Sequence, residues 1–149
     1  MTTIEVAAEP DLPELLTLMR GYCDFYEVAP SDEALLAMSR ALIADPAREG
    51  LQLIARDAQG KAIGFATIFW SWSTSHAARI GIMNDLFVEP AARGTGVAEA
   101  LIQECVERAR TRGAAVLAWQ TALDNHRAQK VYKRTGAGFD TYLEYDLSL

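Results

Sequence analysis

Between Leu12 and Tyr26 the apolar residues Leu12, Leu15, Leu16, Met19, Tyr22, Cys23 and Tyr26 recur at three- and four-residue intervals, which is the spacing of one buried helical face. The preceding Pro10-Asp11-Leu12-Pro13 predicts the helix start, with Asp11 as a cap and proline tolerated in the first turn. A second helix is predicted from Asp32 to about Ala44, capped by Ser31 and stopped by Asp45-Pro46, with Leu35, Met38, Leu42 and Ile43 inward. The period then shortens. A short strand at Thr3–Val6, then Leu51–Arg56, Ala62–Trp72 and Arg79–Val88, read as strands; Asp57–Gly60 and Ser71–Ala78 are the turns between the last three. The Ala62–Trp72 run is apolar on both faces, as a central strand covered on both sides must be.

Helical spacing returns from Gly94 to Arg112, where Val97, Leu101, Cys105 and Ala109 share a face and Glu104 can pair with Arg108. Gly113 ends that helix. Ala115–Thr121 reads as a strand, Asn125–Thr135 as an Asn-capped helix, and Phe139–Leu149 as a final strand with Phe139, Leu143, Tyr145 and Leu147 on one side. The predicted architecture is α/β (α+β): a mixed central sheet flanked by helices, in the order β-α-α-β-β-β-α-β-α-β, with an optional further short strand at the end. Residues 1–149 carry no internal repeat or linker, which predicts a single domain.

Composition narrows the function. The chain is 50% hydrophobic and 23% charged, with a formal charge of −6, which disfavours a nucleic-acid partner and mildly favours a cationic amine. No apolar run reaches the length of a membrane span, and the N-terminus lacks the charge and apolar stretch of a secretion signal, so a cytoplasmic, membrane-free protein is expected. Cys23 and Cys105 sit singly in helical patterns, so neither a disulfide nor a metal site is expected.

Candidate chemistry concentrates in Asp85-Leu86-Phe87-Val88, which leads through Glu89-Pro90-Ala91-Ala92 into Arg93-Gly94-Thr95-Gly96-Val97-Ala98. A strand followed by a glycine-rich entry into a helix binds anions, because free N–H groups point outward and no Cβ obstructs the backbone. The same glycines also make an ordinary tight turn. A dinucleotide fingerprint would need a third glycine where Glu99 stands, and a phosphate-binding P-loop would need a Gly-Lys-Ser/Thr ending that is absent.

Arg93-Gly94-Thr95-Gly96-Val97-Ala98 resembles the Arg/Gln-x-x-Gly-x-Gly/Ala motif of the GNAT superfamily of N-acetyltransferases. Trp119-Gln120-Thr121 and the segment from Asn125 through Ala128 and Tyr132 to Ala137 resemble a second block of that family. The likeness covers nearly the whole chain. It implies the GNAT acyl-coenzyme A N-acyltransferase fold, acetyl-coenzyme A as co-substrate without a metal, and a homodimer. It also implies a pyrophosphate held by the amides of Arg93 to Ala98, Asn125 and Ala128 near the pantetheine arm, and backbone groups of Leu86, Phe87 and Val88 beside the thioester. Tyr132 would then present its hydroxyl to the coenzyme sulfur as general acid, although an ordinary packing role also fits a tyrosine there.

Asp24-Phe25-Tyr26-Glu27, Gly64-Phe65-Ala66, Asn84 to Val88 and Tyr132-Lys133-Arg134 look most like the spermidine/spermine and thialysine N-acetyltransferase branch. One departure is Asn84, where that branch carries glutamate. Asp85 remains as the candidate base, or as a structural acceptor for neighbouring amides. Phe25, Tyr26 and Trp72, with Asn84, are the candidate amine-binding residues, because aromatic faces attract an ammonium group. The expected activity is direct acetyl transfer to a small primary amine: a polyamine, a diamine or an amino-acid-like compound. Acetylation of a protein or peptide amine, or a non-catalytic coenzyme-A-binding module, are the alternatives.

Overall fold

A computed structural model describes residues Met1–Leu149. The elements are β1 (Thr3–Val6), α1 (Leu12–Phe25), α2 (Asp32–Ala44), β2 (Gly50–Arg56), β3 (Ala62–Ser73), β4 (Ala78–Val88), α3 (Val97–Thr111), β5 (Leu117–Ala118) and α4 (His126–Arg134). They build one sheet in the order β1-β2-β3-β4-β5, antiparallel up to β4 and parallel between β4 and β5. Tight connections explain the antiparallel part. The Asp57 carboxylate accepts from the Gln59 and Lys61 amides and closes the β2–β3 turn. A parallel partner for β4 needs a long crossover, and α3 supplies it.

Each face of the sheet carries its own core. Leu15, Leu18, Met19 and Cys23 of α1, with Leu35 of α2, pack on Ile54, Ala62 and Phe65. On the opposite face Val97, Leu101, Ile102, Cys105 and Ala109 of α3 cover Leu53, Ala55, Ala66, Ile68 and Met83. The first seven residues of β3 are buried, as its two-sided apolar run predicts. Gly21 lets α1 lie directly on β4, since a Cβ there would meet the Phe87 ring at 2.6 Å.

Three expectations are corrected. Asp11 does not cap α1: its carboxylate accepts from the Ala8 amide and pairs with Arg56, which also holds Glu5 and Glu14. Ser31 does cap α2, accepting from the Ala34 amide. The strand expected over 115–121 is paired only at Leu117–Ala118, because β4 bends away beyond that point. The strand expected at 139–149 is absent from the sheet. A strand needs a neighbour to satisfy its backbone, and in the single chain this tail has none: every residue is exposed, Leu143 by 80% and Tyr145 by 87%.

Candidate active site

In β4, Asp85 pairs with Thr67 and Met83 with Ile68, so Asn84 is one residue too many for the ladder. Such a bulge bends its strand. It falls just after Ile82, where the pairing with β5 stops, and beyond it β4 and β5 separate. The opening is a cavity of about 30 Å³. Tyr22 of α1 and Tyr26, the residue that follows α1, line it, with Met83, Asn84 and Leu86 of β4, Trp119 and Gln120 after β5, and Tyr132 of α4.

The separation leaves backbone donors free. Glu89 N–H donates to Ile63 across the β3–β4 ladder, whereas Val88 C=O turns the other way and accepts from Arg93 Nε at 2.9 Å. Alternation along the strand therefore turns the N–H groups of Val88 and Leu86 to the side facing away from β3, and only that of Phe87 into the ladder.

The glycine-rich turn lies at the start of α3. Gly94 has φ +77° and Gly96, the N-cap, φ +88°, a left-handed backbone that side chains resist. A Cβ at either would touch nothing within 4 Å, so the surface above the turn is open. No side chain caps α3, which leaves its first-turn N–H groups for a ligand. Burial and the nearby Arg127 guanidinium both push the Arg93 pKa down, so two cations adjoin the turn. Open glycine backbone, uncapped N–H groups and paired cations fit a diphosphate.

The two titratable candidates differ in placement. Tyr132 reaches the cavity with its ring edge-on to Trp119, centroids 5.5 Å apart, and burial raises its pKa. Asp85 is behind the cavity wall, 9% exposed, and burial raises its pKa against hydrogen bonds from Thr67, Tyr22 and Asn84 that lower it. Asn84 Nδ2 donates to its Oδ1 at 3.0 Å. The Asn84 amide and the Tyr22 phenol, whose pKa burial and Asp85 raise, both stand between the buried carboxylate and the cavity, and of the two the phenol is the one that can relay a proton.

The model of the Acetyltransferase (GNAT) family matches residues 15–139. The chain belongs to the GNAT family of acetyltransferases. It is 31% identical over 147 residues to an uncharacterized N-acetyltransferase of Bacillus subtilis, covering 98% of this chain and 97% of the relative. It is 33% identical over 128 residues to a D-amino-acid N-acetyltransferase of Saccharomyces cerevisiae, covering 85% and 78%. A crystal structure of a probable acetyltransferase superposes with a TM-score of 0.85 at 27% identity, over 99% of this chain and 97% of that one.

This acetyltransferase brings Tyr26, Asn84, Leu86 and Tyr132 to one cavity and places the turn from Arg93 to Ala98 at the entry to α3. Asn125 Oδ1 accepts from the Ala128 amide, so it caps α4. Phe25 packs edge-on to Tyr26 but does not line the cavity. Trp72 is not brought to it either: it is 69% exposed under the Arg79 guanidinium, five residues along β3 from Thr67, or roughly 16 Å. Trp119 and Gln120 line the acetyltransferase cavity without a role read for them individually from the sequence, whereas Tyr22 was expected near the acceptor pocket but not beside Asp85. For Tyr22 the available signal is its place one turn before Tyr26 on the apolar face of α1.

Proposed function

We propose that this acetyltransferase moves the acetyl group of acetyl-coenzyme A directly onto the amino group of a small amine, in a ternary complex formed at the gap between β4 and β5. The supporting observation is that one opening gathers Leu86 of β4, the Tyr132 phenol and, through the Tyr22 phenol, a carboxylate buried behind its wall, and that the same β4 strand runs on into the anion-fitting turn. Bound acetyl-coenzyme A would supply the activated acyl group as a thioester. The amides from Arg93 to Ala98 hold its pyrophosphate, with Arg93 and Arg127 adding charge.

An alkylamine with a pKa near ~10.4 is free base only about one part in a thousand at neutral pH, so its proton must be taken. Asp85, made more basic by burial, takes it through the Tyr22 hydroxyl, which passes its own proton inward as it receives one. The Leu86 and Val88 N–H groups steady the acyl oxygen as charge develops on it. Tyr132, kept protonated by its raised pKa, donates to the departing sulfur. Neither cysteine lines the gap, and burial pushes the Cys105 thiol up to about 12, which supports transfer without an acyl-cysteine.

Tyr22 and Tyr26, with ring centroids 4.8 Å apart, narrow the opening and favour a slender amine over a folded protein. Polyamines, diamines and amino acids share that shape, and the D-amino acid named for the yeast relative is of this class. Thiol release from acetyl-coenzyme A is the test, run against polyamines, diamines, D- and L-amino acids and short peptides. Turnover with one small-amine class and little with peptides is expected. Turnover on peptides alone would overturn the assignment, and tight coenzyme binding without turnover on any amine would make the chain a coenzyme-A-binding module.

A further inference from the structure

The face of the sheet beneath α1 carries an apolar row and, beside it, a polar one. Ile54, Phe65 and Phe87 stand opposite one another on β2, β3 and β4; two residues along the same strands, Gln52, Thr67 and Asp85 do likewise. These three are 4%, 0% and 9% exposed, and with Ser39 they are all the buried polar residues of the chain. Ser39 joins them through a sulfur. Met19 Sδ accepts from Ser39 Oγ at 3.7 Å and from Gln52 Nε2 at 3.6 Å, and Gln52 Nε2 also donates to Thr67 Oγ1 at 3.1 Å. Polar groups placed among apolar ones are costly unless each is bonded, and here each bond leads to the next.

The row has a direction. A thioether has no hydrogen to give, so the Gln52 atom that faces both Met19 and Thr67 must be the amide nitrogen. The Thr67 oxygen is thereby occupied as an acceptor, which leaves its own hydrogen for Asp85, directly across the ladder. We propose, on the reading of Asp85 as the proton acceptor, that Gln52 and Thr67 are positioning residues for the transfer. They hold the Asp85 carboxylate so that Thr67 donates to it from the interior while the Tyr22 phenol meets it from the cavity side.

The row orients and does not conduct. Neither an amide nor a thioether takes up a proton near neutral pH, so a proton received by Asp85 has no exit toward Ser39 and returns through Tyr22. Thr67, Tyr22 and Asn84, the groups that lower the Asp85 pKa, are uncharged donors with no cation among them, and the other titratable groups bordering the cavity are Tyr26 and Tyr132. The charged carboxylate therefore depends on its hydrogen bonds, and the Thr67 bond is the one that the interior fixes.

Carbon-detected NMR titration of the Asp85 carboxyl in the full chain, its signal assigned by loss in Asp85→Asn, is the test, run beside kcat/KM against pH with the best amine of the panel. Thr67→Val keeps the shape and removes the donor, so the carboxyl titration and the acid limb of the rate profile should both move to higher pH. kcat/KM should fall about tenfold at the acid end and approach wild type in alkali, a recovery that lost packing would not give. Thr67→Ser, which keeps the hydroxyl, should restore both. Gln52→Met keeps the length without the donor and should move both the same way by less; it carries the test if Thr67→Val does not fold by circular dichroism. A carboxyl that titrates as in wild type in either folded variant, or that Thr67→Ser fails to restore, would overturn the inference. A carboxyl that shifts as expected under an unmoved rate profile, or in a chain that turns over no amine, would support the row and refute instead the reading of Asp85 as base.

Discussion

At one edge of the sheet β1 pairs four residues with β2, and Arg56 ties that edge to the start of α1 through Glu5, Asp11 and Glu14. At the other, β5 pairs two residues with β4 and then leaves it, and α4 beyond has no fully buried residue. The first edge is closed by charge and holds no candidate catalytic group. The second is left open, and its openness exposes the Leu86 and Val88 amides, admits the Tyr132 phenol and gives access to Asp85 through Tyr22. On the proposed mechanism the same sheet keeps stability and chemistry at opposite ends, since an amide that completes a ladder is not available to a substrate.

Substitutions can break this contrast. The largest effect is expected from Gly96→Val, which puts a β-branched residue at φ +88° and a side chain over the turn that should hold the pyrophosphate. Coenzyme binding by isothermal titration should weaken about thirtyfold or more, corresponding to about 2 kcal/mol or more of strain and obstruction. An unchanged dissociation constant would remove the turn from the site. Next is Arg56→Met at the closed edge. A loss of about 2 kcal/mol in denaturant unfolding is expected, most of it from the Asp11 pairing, because Glu5 and Glu14 are solvated. Turnover should be preserved. Pairing with Arg56 lowers the Glu14 pKa, so this contribution is full at neutral pH and fades as pH falls through the folded carboxylate's pKa; the difference from wild type should narrow in acid.

How far the sequence disclosed these two ends follows from what kind of signal each feature leaves. The helical face of α1, the Ser31 cap of α2 and the two-sided burial of β3 are local and periodic, and all three were legible. The bulge at Asn84 was not, since one extra residue in a ladder is defined by its partner strand and has no composition of its own. The Tyr22–Asp85 contact was hidden for the same reason: it requires α1 to be docked on β4 through Gly21. Trp72 was drawn toward the site by its aromatic face and its position near the β3–β4 turn, and strand length places it at the far end of β3. The tail's alternation was read as a strand, whereas its pairing partner is not encoded within its own pattern.

Two smaller effects are expected at the open end. Tyr22→Phe should lower kcat/KM about tenfold, about 1.4 kcal/mol, by interrupting the route to Asp85. The Tyr22 hydrogen bond favours charged Asp85 and lowers its pKa, so its removal should raise that pKa further and move the acid limb of the rate profile to higher pH. A pH profile unchanged in shape would separate Tyr22 from the base. Trp72→Ala should change kcat/KM by less than about twofold, because the side chain lies outside the cavity. A larger loss would place the amine pocket along β3 and away from the gap.

Within the gap between β4 and β5, Tyr132 is the side chain on which the proposed transfer depends most directly. The measurement is kcat for Tyr132→Phe against wild type from acid to alkaline pH, with the best amine of the panel and coenzyme affinity checked by titration. A ten- to hundredfold loss, about 1.4 to 2.7 kcal/mol, with unchanged coenzyme binding is the predicted result. Wild-type turnover at every pH would contradict it and return Tyr132 to a packing role against Trp119.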